Sequence, residues 1–517
     1  MIDKETGGSF ARLRAILEIG STSIRLLIAE IAVDRTWREL DRAEKPVSLG
    51  RDVFTSGKVS RESFLECLSV LQLYRELLAG WGIGNKDARV IATSAFRAAR
   101  NRDIIVDRVQ RETGFLINIV EGIEENRLMY LATRFALKHD LPKFWQSNTM
   151  IIDIGGGSTE IMLLRHGKMV AAHSLHVGTI ILDEQARHAG DFKRNDNRYL
   201  NEQIRHTAFF FEMDITHVKT LVMTGSDARV AAGFIGRSLN ERCRLIEREE
   251  FASFVEKVRN SSIEEIVRNL HISYTVAEGF VPGLLMYRQF LEQTTATQVV
   301  VPDVSIREGL LIDIALGVDS ELQEEFYSQI IASAATLGKK YRYDEAHSRE
   351  VTDISLWLFD ALLLEHGMKK RERRLLEVAA MLHDIGMFIT AADHHKHGAY
   401  IVAHSEIFGL QRDELDIIAG VIRYHRGKIP SDTEDIVYRA LPRGDQILIL
   451  KMAALLRVAD ALDRGHSQQI KRLTIERADS RIMLHVQGNL DLSLELIGLE
   501  EKADLFQDVF GYKVVLV

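Results

Sequence analysis

The sequence predicts an α/β protein with two related lobes around a cleft, then an all-α domain and a small C-terminal α+β domain. Three observations carry that prediction. Two glycine- and hydroxyl-rich turns, Glu18-Ile-Gly-Ser-Thr-Ser-Ile-Arg25 and Asp153-Ile-Gly-Gly-Gly-Ser-Thr-Glu160, each follow an apolar strand ending in a carboxylate and lead into a second apolar strand. Beyond Leu316 the strand signal almost vanishes, and residues 320 to about 470 read as helical and rich in histidine. From Leu473 to Val517 an alternating pattern returns, as in Ile482 to Val486 and Lys513 to Val517.

The first lobe, expected over 11–137, opens with Ala15-Ile16-Leu17 as a buried strand. Arg61 to Ala79 follows as an amphipathic helix, Ala88 to Ala92 as a buried strand and Glu124 to Ala136 as a helix. The second lobe, expected over 138–315, repeats that logic. Thr149 to Ile154 is a strand, Thr220 to Met223 another that runs into Thr224-Gly225-Ser226-Asp227, and a helix starts at Ala228, with Asp227 either its N-cap or a carboxylate that faces the ligand and repels an anion. Two lobes of one plan point to a duplication around a cleft. The helical domain is expected over 320–470, with helices Leu375 to Ile385 and Ile447 to Leu462, and the C-terminal domain over 471–517.

Composition narrows the class. A chain of 517 residues suits three or four domains, and 46% hydrophobic with 27% charged content allows large cores. The net charge of -8 argues against a general DNA or RNA binder, so any polyanion site is a local cluster in an acidic protein. No apolar run is long enough to span a bilayer and Met1 to Phe10 lacks a signal-peptide core, so no membrane association and a cytoplasmic location are expected. Cys67 and Cys243 are far apart, which gives neither a disulfide framework nor a thiolate metal site.

The chemistry of each turn is local. Glycines after a central strand let backbone N–H groups converge on an anion with no Cβ in the way. Ser21, Thr22 and Ser23 in one copy, and Ser158 and Thr159 in the other, add hydroxyl donors, while Glu18 and Asp153 suit a hard divalent cation, Mg2+, that screens phosphate. Neither copy has the lysine of a Walker loop. One such turn alone reads equally well as an ordinary hairpin; two with the same carboxylate placement favour a chain that grips phosphate twice.

Five motifs occur in order: Glu18 to Arg25, Ala92-Thr-Ser-Ala-Phe-Arg97, Gly122-Ile-Glu-Glu125, Asp153 to Glu160 and Arg307-Glu-Gly-Leu-Leu311. On them the chain resembles the exopolyphosphatase and guanosine pentaphosphate phosphohydrolase (Ppx/GppA) family, over essentially its whole length. The resemblance implies lobes of the actin-like (ASKHA, ribonuclease H-like) fold and an HD-like helical domain. It implies Mg2+-dependent release of terminal phosphate from inorganic polyphosphate, with guanosine pentaphosphate as a second substrate and guanosine tetraphosphate as a ligand, in a homodimer. Glu125 then corresponds to the base, and Asp153 and Glu160 to the magnesium and water-positioning carboxylates. Arg97 and the turn residues Gly20, Ser21, Thr22, Ser23, Gly155, Gly156, Gly157, Ser158, Thr159, Gly225 and Ser226 are the phosphate contacts. On their own, Glu124 and Glu125 also read as acids favoured at a helix start, and Arg25, Arg100 and Arg102 as solvated charges.

This chain departs from the family pattern at Glu18 and Thr22, where aspartate and asparagine are usual, at Asn126, where alanine is usual, and at Ser226-Asp227, where Gly-Thr is usual. These changes support an alternative, a polyphosphate or alarmone sensor with weakened turnover. In the helical region His347, His383-Asp384 and Asp460 follow the order of HD metal phosphohydrolases, with His395, His397, His404 and His425 as sources for a second metal. Two readings follow: a phosphohydrolase centre regulated by the lobes, or a domain kept for packing and polyphosphate channelling. The basic run Lys369, Lys370, Arg371, Arg373 and Arg374 fits either a channel lining or a solvated helix face.

Overall fold

A computed structural model describes residues 12–138, 146–189, 214–316, 321–428, 435–470, 473–488 and 490–517; the segment Met1 to Phe10 lies outside them. Contacts divide the chain into two compact units, Met1–Gln329 and Ile330–Val517.

The first unit holds two sheets. In the first lobe, β1 (Arg12–Ile19), β2 (Ser23–Ile31), β3 (Trp37–Pro46), β4 (Ala88–Ala92) and β5 (Ile117–Ile119) lie in the order β3-β2-β1-β4-β5. β1 is central and buried on both faces, which its unbroken apolar run requires. Ala15, Leu17 and Ile19 join Phe64, Leu71 and Tyr74 of the helix Arg61–Gly80 on one face. Ile16 packs with Leu311 of the helix Ile306–Leu316 on the other.

The second lobe is built from β6 (Thr149–Ile154), β7 (Thr159–Arg165), β8 (Lys168–Leu175), β9 (Thr220–Thr224), β10 (Arg237–Asn240), β11 (Cys243–Glu247) and β12 (Gln298–Pro302), in the order β10-β11-β12-β9-β6-β7-β8. β6 is an interior strand, antiparallel to β7 and parallel to β9, as β1 is antiparallel to β2 and parallel to β4. The duplication read from the turns therefore extends to strand pairing. Helices Arg248–Arg259 and Tyr274–Glu292 cover one face through Phe251, Phe280 and Tyr287.

Among its described residues the second unit is mainly helical up to Ala461 and ends in a sheet ordered β13 (Leu473–Ala478), β14 (Arg481–Val486), β15 (Lys513–Leu516). The alternating pattern of Leu473 to Val517 is interrupted by two helices, Ser493–Lys502 and Asp504–Phe510. Both pack on the helix Arg443–Ala461, so the C-terminal segment belongs to the same unit as the bundle. In the basic run, Arg371 pairs with Glu414 at 3.0 Å and Arg373 with Asp360 at 2.7 Å, which is the behaviour of a solvated helix face. Among the described residues no helix is long and apolar enough to cross a membrane.

Candidate active site

The two turns close by the same backbone bond, Gly20 N–H to the Ser23 carbonyl at 3.0 Å and Gly155 N–H to the Ser158 carbonyl at 2.9 Å. They face one another across the cleft between the lobes. A Cβ added at Gly156 would come within 2.9 Å of the Ser21 Cβ, so glycine lets the two loops approach. The cleft is lined by Glu18, Gly20, Ser21, Thr22 and Arg25 of one turn and Asp153 to Gly156, Ser158 and Glu160 of the other, together with Ser94, Glu125, Gly225, Ser226, Asp227 and Arg229; of the expected phosphate contacts, Ser23, Gly157, Thr159 and Arg97 are not among the lining residues.

Antiparallel pairing sets the first and last residue of each turn directly opposite, Glu18 across from Arg25 and Asp153 across from Glu160. The consequences differ. Glu18 Oε1 lies 3.3 Å from Arg25 Nη1, and Arg307 Nε lies 3.2 Å from Glu18 Oε2, near enough for an ion pair though not aligned as a hydrogen bond. Arg25, expected as a possible solvated charge, is enclosed and also bonds Glu44 at 3.0 Å. Glu18 thus sits between two guanidinium groups, already neutralised. Asp153 and Glu160 are instead like charges facing one another, which costs stability unless a cation or proton intervenes. Thr224 Oγ1 donates to Asp153 Oδ1 at 3.0 Å and Ser174 Oγ to Glu160 Oε1 at 2.9 Å.

Glu125 stands in the first turn of the helix Gly122–Ala136 and is buried. Arg97, from the short helix Ser94–Ala98, donates through Nη1 to Glu125 Oε1 at 2.5 Å and to the Val120 carbonyl at 2.7 Å, while its buried Nη2 has no hydrogen-bond partner. Gly122 allows the Glu125 helix to begin against Ser174, because a Cβ there would overlap the serine side chain. Glu125 and Glu160 are thereby brought into one electrostatic cluster. Burial pushes the Glu125 carboxyl up to about 7; Arg97 opposes the shift, and Asp153 and Glu18 add to it. Burial, then Glu125 and Asp153, hold Glu160 well above the usual range, and burial raises Asp153.

The third turn differs from expectation. The helix begins at Ser226 rather than Ala228, Gly225 at φ +100° makes the corner, and of the two expectations for Asp227 the cap is not met while the place facing the cleft is. Asp227 lies within the first helical turn, buried on the cleft wall, where burial pushes its carboxyl up to about 7. Asn126, fully buried, donates Nδ2 to the His173 carbonyl at 3.2 Å, which ties the Glu125 helix to β8. Arg100 and Arg102 donate to the Ser56 and Arg97 carbonyls at 3.0 and 2.9 Å and take no part in the cleft.

A hard cation fits the donor set, since Glu160 is buried, Asp153 half-buried, and among the described residues neither has a guanidinium within ion-pair distance. The expected trio of Glu18, Asp153 and Glu160 does not form a closed cage: its ligand atoms are not among the groups lying within 4.8 Å of one another. Such openness suits Mg2+, which commonly keeps water and takes only one or two carboxylates plus substrate phosphate.

In the second unit His347, His383 and Asp460 form one converging group, and Asp384 joins His347 and His466 in a second and His394 and His425 in a third. Of the histidines expected to complete a second metal site only His425 joins them. His404 faces solvent beside Tyr400, and His395 and His397 are not in the converging groups; their place is taken by His394. Sequence reasoning also missed Ser174, Thr224 and Tyr287, whose hydroxyl donates to the Thr224 carbonyl. Ser174 and Tyr287 reach the site from a distant strand and a helix with no motif to mark them, whereas Thr224 opens the third turn and only its bond to Asp153 had no local signal. Arg307 lay within a recognised motif, but its ion pair with Glu18 spans the lobe and has no local signal.

The model of the Ppx/GppA phosphatase family matches residues 28–317, and that of Ppx/GppA phosphatase domain III matches residues 331–503. A guanosine-5'-triphosphate,3'-diphosphate pyrophosphatase of Pseudoalteromonas atlantica is 23% identical over 86% of each chain. One from Aeromonas hydrophila is 23% identical over 91% of this chain and 92% of its own. An exopolyphosphatase from Cytophaga hutchinsonii superposes with a TM-score of 0.53 at 18% identity, covering 59% of this chain and 98% of that one, and shares the fold of the lobes.

Proposed function

The chain belongs to the Ppx/GppA phosphatase family, and from that premise we propose that its cleft hydrolyses the terminal phosphoanhydride of inorganic polyphosphate, with guanosine pentaphosphate as a second substrate. The observation that carries this reading is the Glu125–Arg97 pair beside Glu160, between two facing glycine-hydroxyl turns.

The substrate's phosphates lie against the backbone N–H groups of Gly20 to Ser23 and Gly155 to Thr159, with Ser226 N–H at the third turn. Arg97 Nη2, the donor left without a partner, turns to an oxygen of the terminal phosphoryl group while Nη1 holds Glu125 in place. Glu160, fixed by Ser174, orients water on the far side of the phosphorus, and Glu125 takes the proton as the bond to the leaving phosphate breaks. Asp153 with Glu160 would hold a magnesium ion, which would supply positive charge against the phosphate oxygens. A base pushed up to about 7 is half in its active form near neutrality, so kcat/KM rises with pH through about 7.

The test is a panel of long polyphosphate, tripolyphosphate, guanosine pentaphosphate and ATP with Mg2+, measured for phosphate release. Wild type is expected to release phosphate from the first three, and Glu125→Ala to lose on the order of 1000-fold or more in kcat. Release that is unchanged in Glu125→Ala overturns the assignment of the base. The neutralised Glu18 favours a second reading, a sensor with little turnover. Tight binding of polyphosphate or guanosine tetraphosphate by calorimetry, with no hydrolysis under Mg2+ or Mn2+, would select it.

A further inference from the structure

The second unit carries imidazoles and carboxylates that the cleft chemistry does not use. Each ring is fixed through Nδ1. His347 Nδ1 lies 2.8 Å from Asp463 Oδ2, His383 Nδ1 2.8 Å from the Ala380 carbonyl, His394 Nδ1 3.0 Å from the Ala391 carbonyl, and His425 Nδ1 2.6 Å from the Ile422 carbonyl. Carbonyl and carboxylate oxygens only accept, so the proton of each neutral ring is on Nδ1 and a bare Nε2 lone pair points inward. That is the arrangement metal-binding histidines use to fix their tautomer.

The inward nitrogens lack protein partners suited to them. Nε2 of His347 and of His383 are buried with no hydrogen bond, on residues 1% and 0% exposed. Nε2 of His394 and of His425 face each other at 3.3 Å. Asp384 lies between these pairs and gives each a separate oxygen. Its Oδ1 is 3.2 Å from His394 Nε2 and 3.7 Å from His425 Nε2, and its Oδ2 is 3.6 Å from His383 Nε2 and 3.9 Å from His347 Nε2. Asp460 Oδ1 closes the first group at 3.8 Å from His347 Nε2. Ligands held about 2.0–2.2 Å from one ion stand roughly 3–3.5 Å apart, close to the spacing seen.

We propose that these six side chains form a two-metal centre bridged by Asp384, with His347, His383 and Asp460 completing one ion's shell and His394 and His425 the other's. Mixed imidazole and carboxylate donors select a transition metal such as Mn2+, Fe2+ or Zn2+ over Mg2+. The second ion, with three protein ligands, has positions left for water and for a phosphate ester, the substrate class a bridged pair of ions serves. In that reaction water adds to phosphorus, the bond from phosphorus to the ester oxygen breaks, and the proton given up by water ends on that oxygen. Lys502, whose ammonium bonds Asp460 Oδ2, leaves Oδ1 for the ion. This site goes beyond the cleft activity and uses none of its residues.

The experiment uses the full chain, stripped of metal, reloaded with Mn2+ and desalted, with metal content read by elemental analysis and electron paramagnetic resonance. Expected are two retained ions per chain with a spin-coupled spectrum, unchanged in Glu125→Gln. His425→Gln should lose one ion, and Asp384→Ala both; Asp384→Asn keeps the shape and serves if the alanine variant does not fold. Hydrolysis of bis(4-nitrophenyl) phosphate should persist in Glu125→Gln and fall at least 100-fold when Asp384 is also replaced. Retention equal in wild type and the folded Asp384 variants overturns the site. A single ion indifferent to His425→Gln overturns the two-ion arrangement, and two ions without ester hydrolysis overturn the substrate class.

Discussion

Asp227 differs from what its residue type and position suggest. A carboxylate just after a glycine corner reads locally as a helix cap, yet its side chain is sealed against Gly283 and the cleft. The carboxyl is raised from 3.8 to about 7, by burial first and with Arg229 and Arg25 opposing. Folding therefore takes up a proton wherever the unfolded chain is ionised and the folded one is not. The contribution to stability is full below about pH 4, shrinks as pH rises, and is gone above about 7. Asp227→Asn removes that slope and is expected to stabilise the first unit by about 2–4 kcal/mol at pH 8 and little at pH 4. Urea unfolding of both proteins without divalent ions, at pH 4 and 8, checks it; an identical pH dependence would show that Asp227 is not the group titrating. The same logic explains why turn residues were legible and their partners were not. Glycine, serine and carboxylate spacing is written locally, whereas the neutralisation of Glu18 by Arg307 and the anchoring of Glu160 by Ser174 exist only after the sheets form.

The strands were the most legible elements. Thr149–Ile154 and Ala88–Ala92 stand where the apolar runs Met150-Ile151-Ile152 and Val90-Ile91-Ala92 put them, because interior strands covered on both faces need such runs. The C-terminal helix Ser493–Lys502 was not legible, for a physical reason: Leu490, Leu492, Leu494 and Leu496 alternate with period two, as a strand would, while the helix buries Leu499 and leaves Leu494, Leu496 and Ile497 exposed. His394 was missed because its neighbours His395 and His397 offer the same side chain, and only the helical phase of His394–Ala403 decides which ring turns inward. Helix crossing also places the base. Gly309 of the helix Ile306–Leu316 lies against the backbone of Leu128 in the Glu125 helix, and a Cβ there would overlap the Leu128 carbonyl. The Gly309→Ala variant must push the two helices apart, so it should lower kcat at least 10-fold and cost about 1–3 kcal/mol. Gly233→Ala, in a helix with open space beside it, is the control and should gain about 0.5–1 kcal/mol. Phosphate release and thermal unfolding measure both; equal activity in the two variants would separate Glu125 placement from this crossing.

At the scale of the molecule, each compact unit has its own buried interior and its own set of electron-pair donors turned inward. In the first unit these are the facing carboxylates Asp153 and Glu160, in the second the inward nitrogens of His347 and His383. A ligand that binds the folded state stabilises it by RT ln(1 + [L]/Kd), about 2.7 kcal/mol at 100 times its Kd. Because the two sites draw on different residues and different donor chemistry, their ligands should stabilise different parts of the chain. Mg2+ with polyphosphate is expected to raise the protection of amides in β6 and β7 against hydrogen exchange, and Mn2+ that of the helices Lys370–Leu382 and Arg412–Tyr424. Asp153→Asn should abolish the first effect and leave the second, and Asp384→Asn the reverse. Exchange followed peptide by peptide separates the outcomes. If Mn2+ protects only β6 and β7, the carboxylate cleft is the one metal site; if polyphosphate protects the helices while Asp153→Asn leaves that effect intact, the chain's anion site lies outside the lobes. Protection that follows each ligand to its own unit would establish that the duplicated turns and the histidine cluster work as separate sites in one chain.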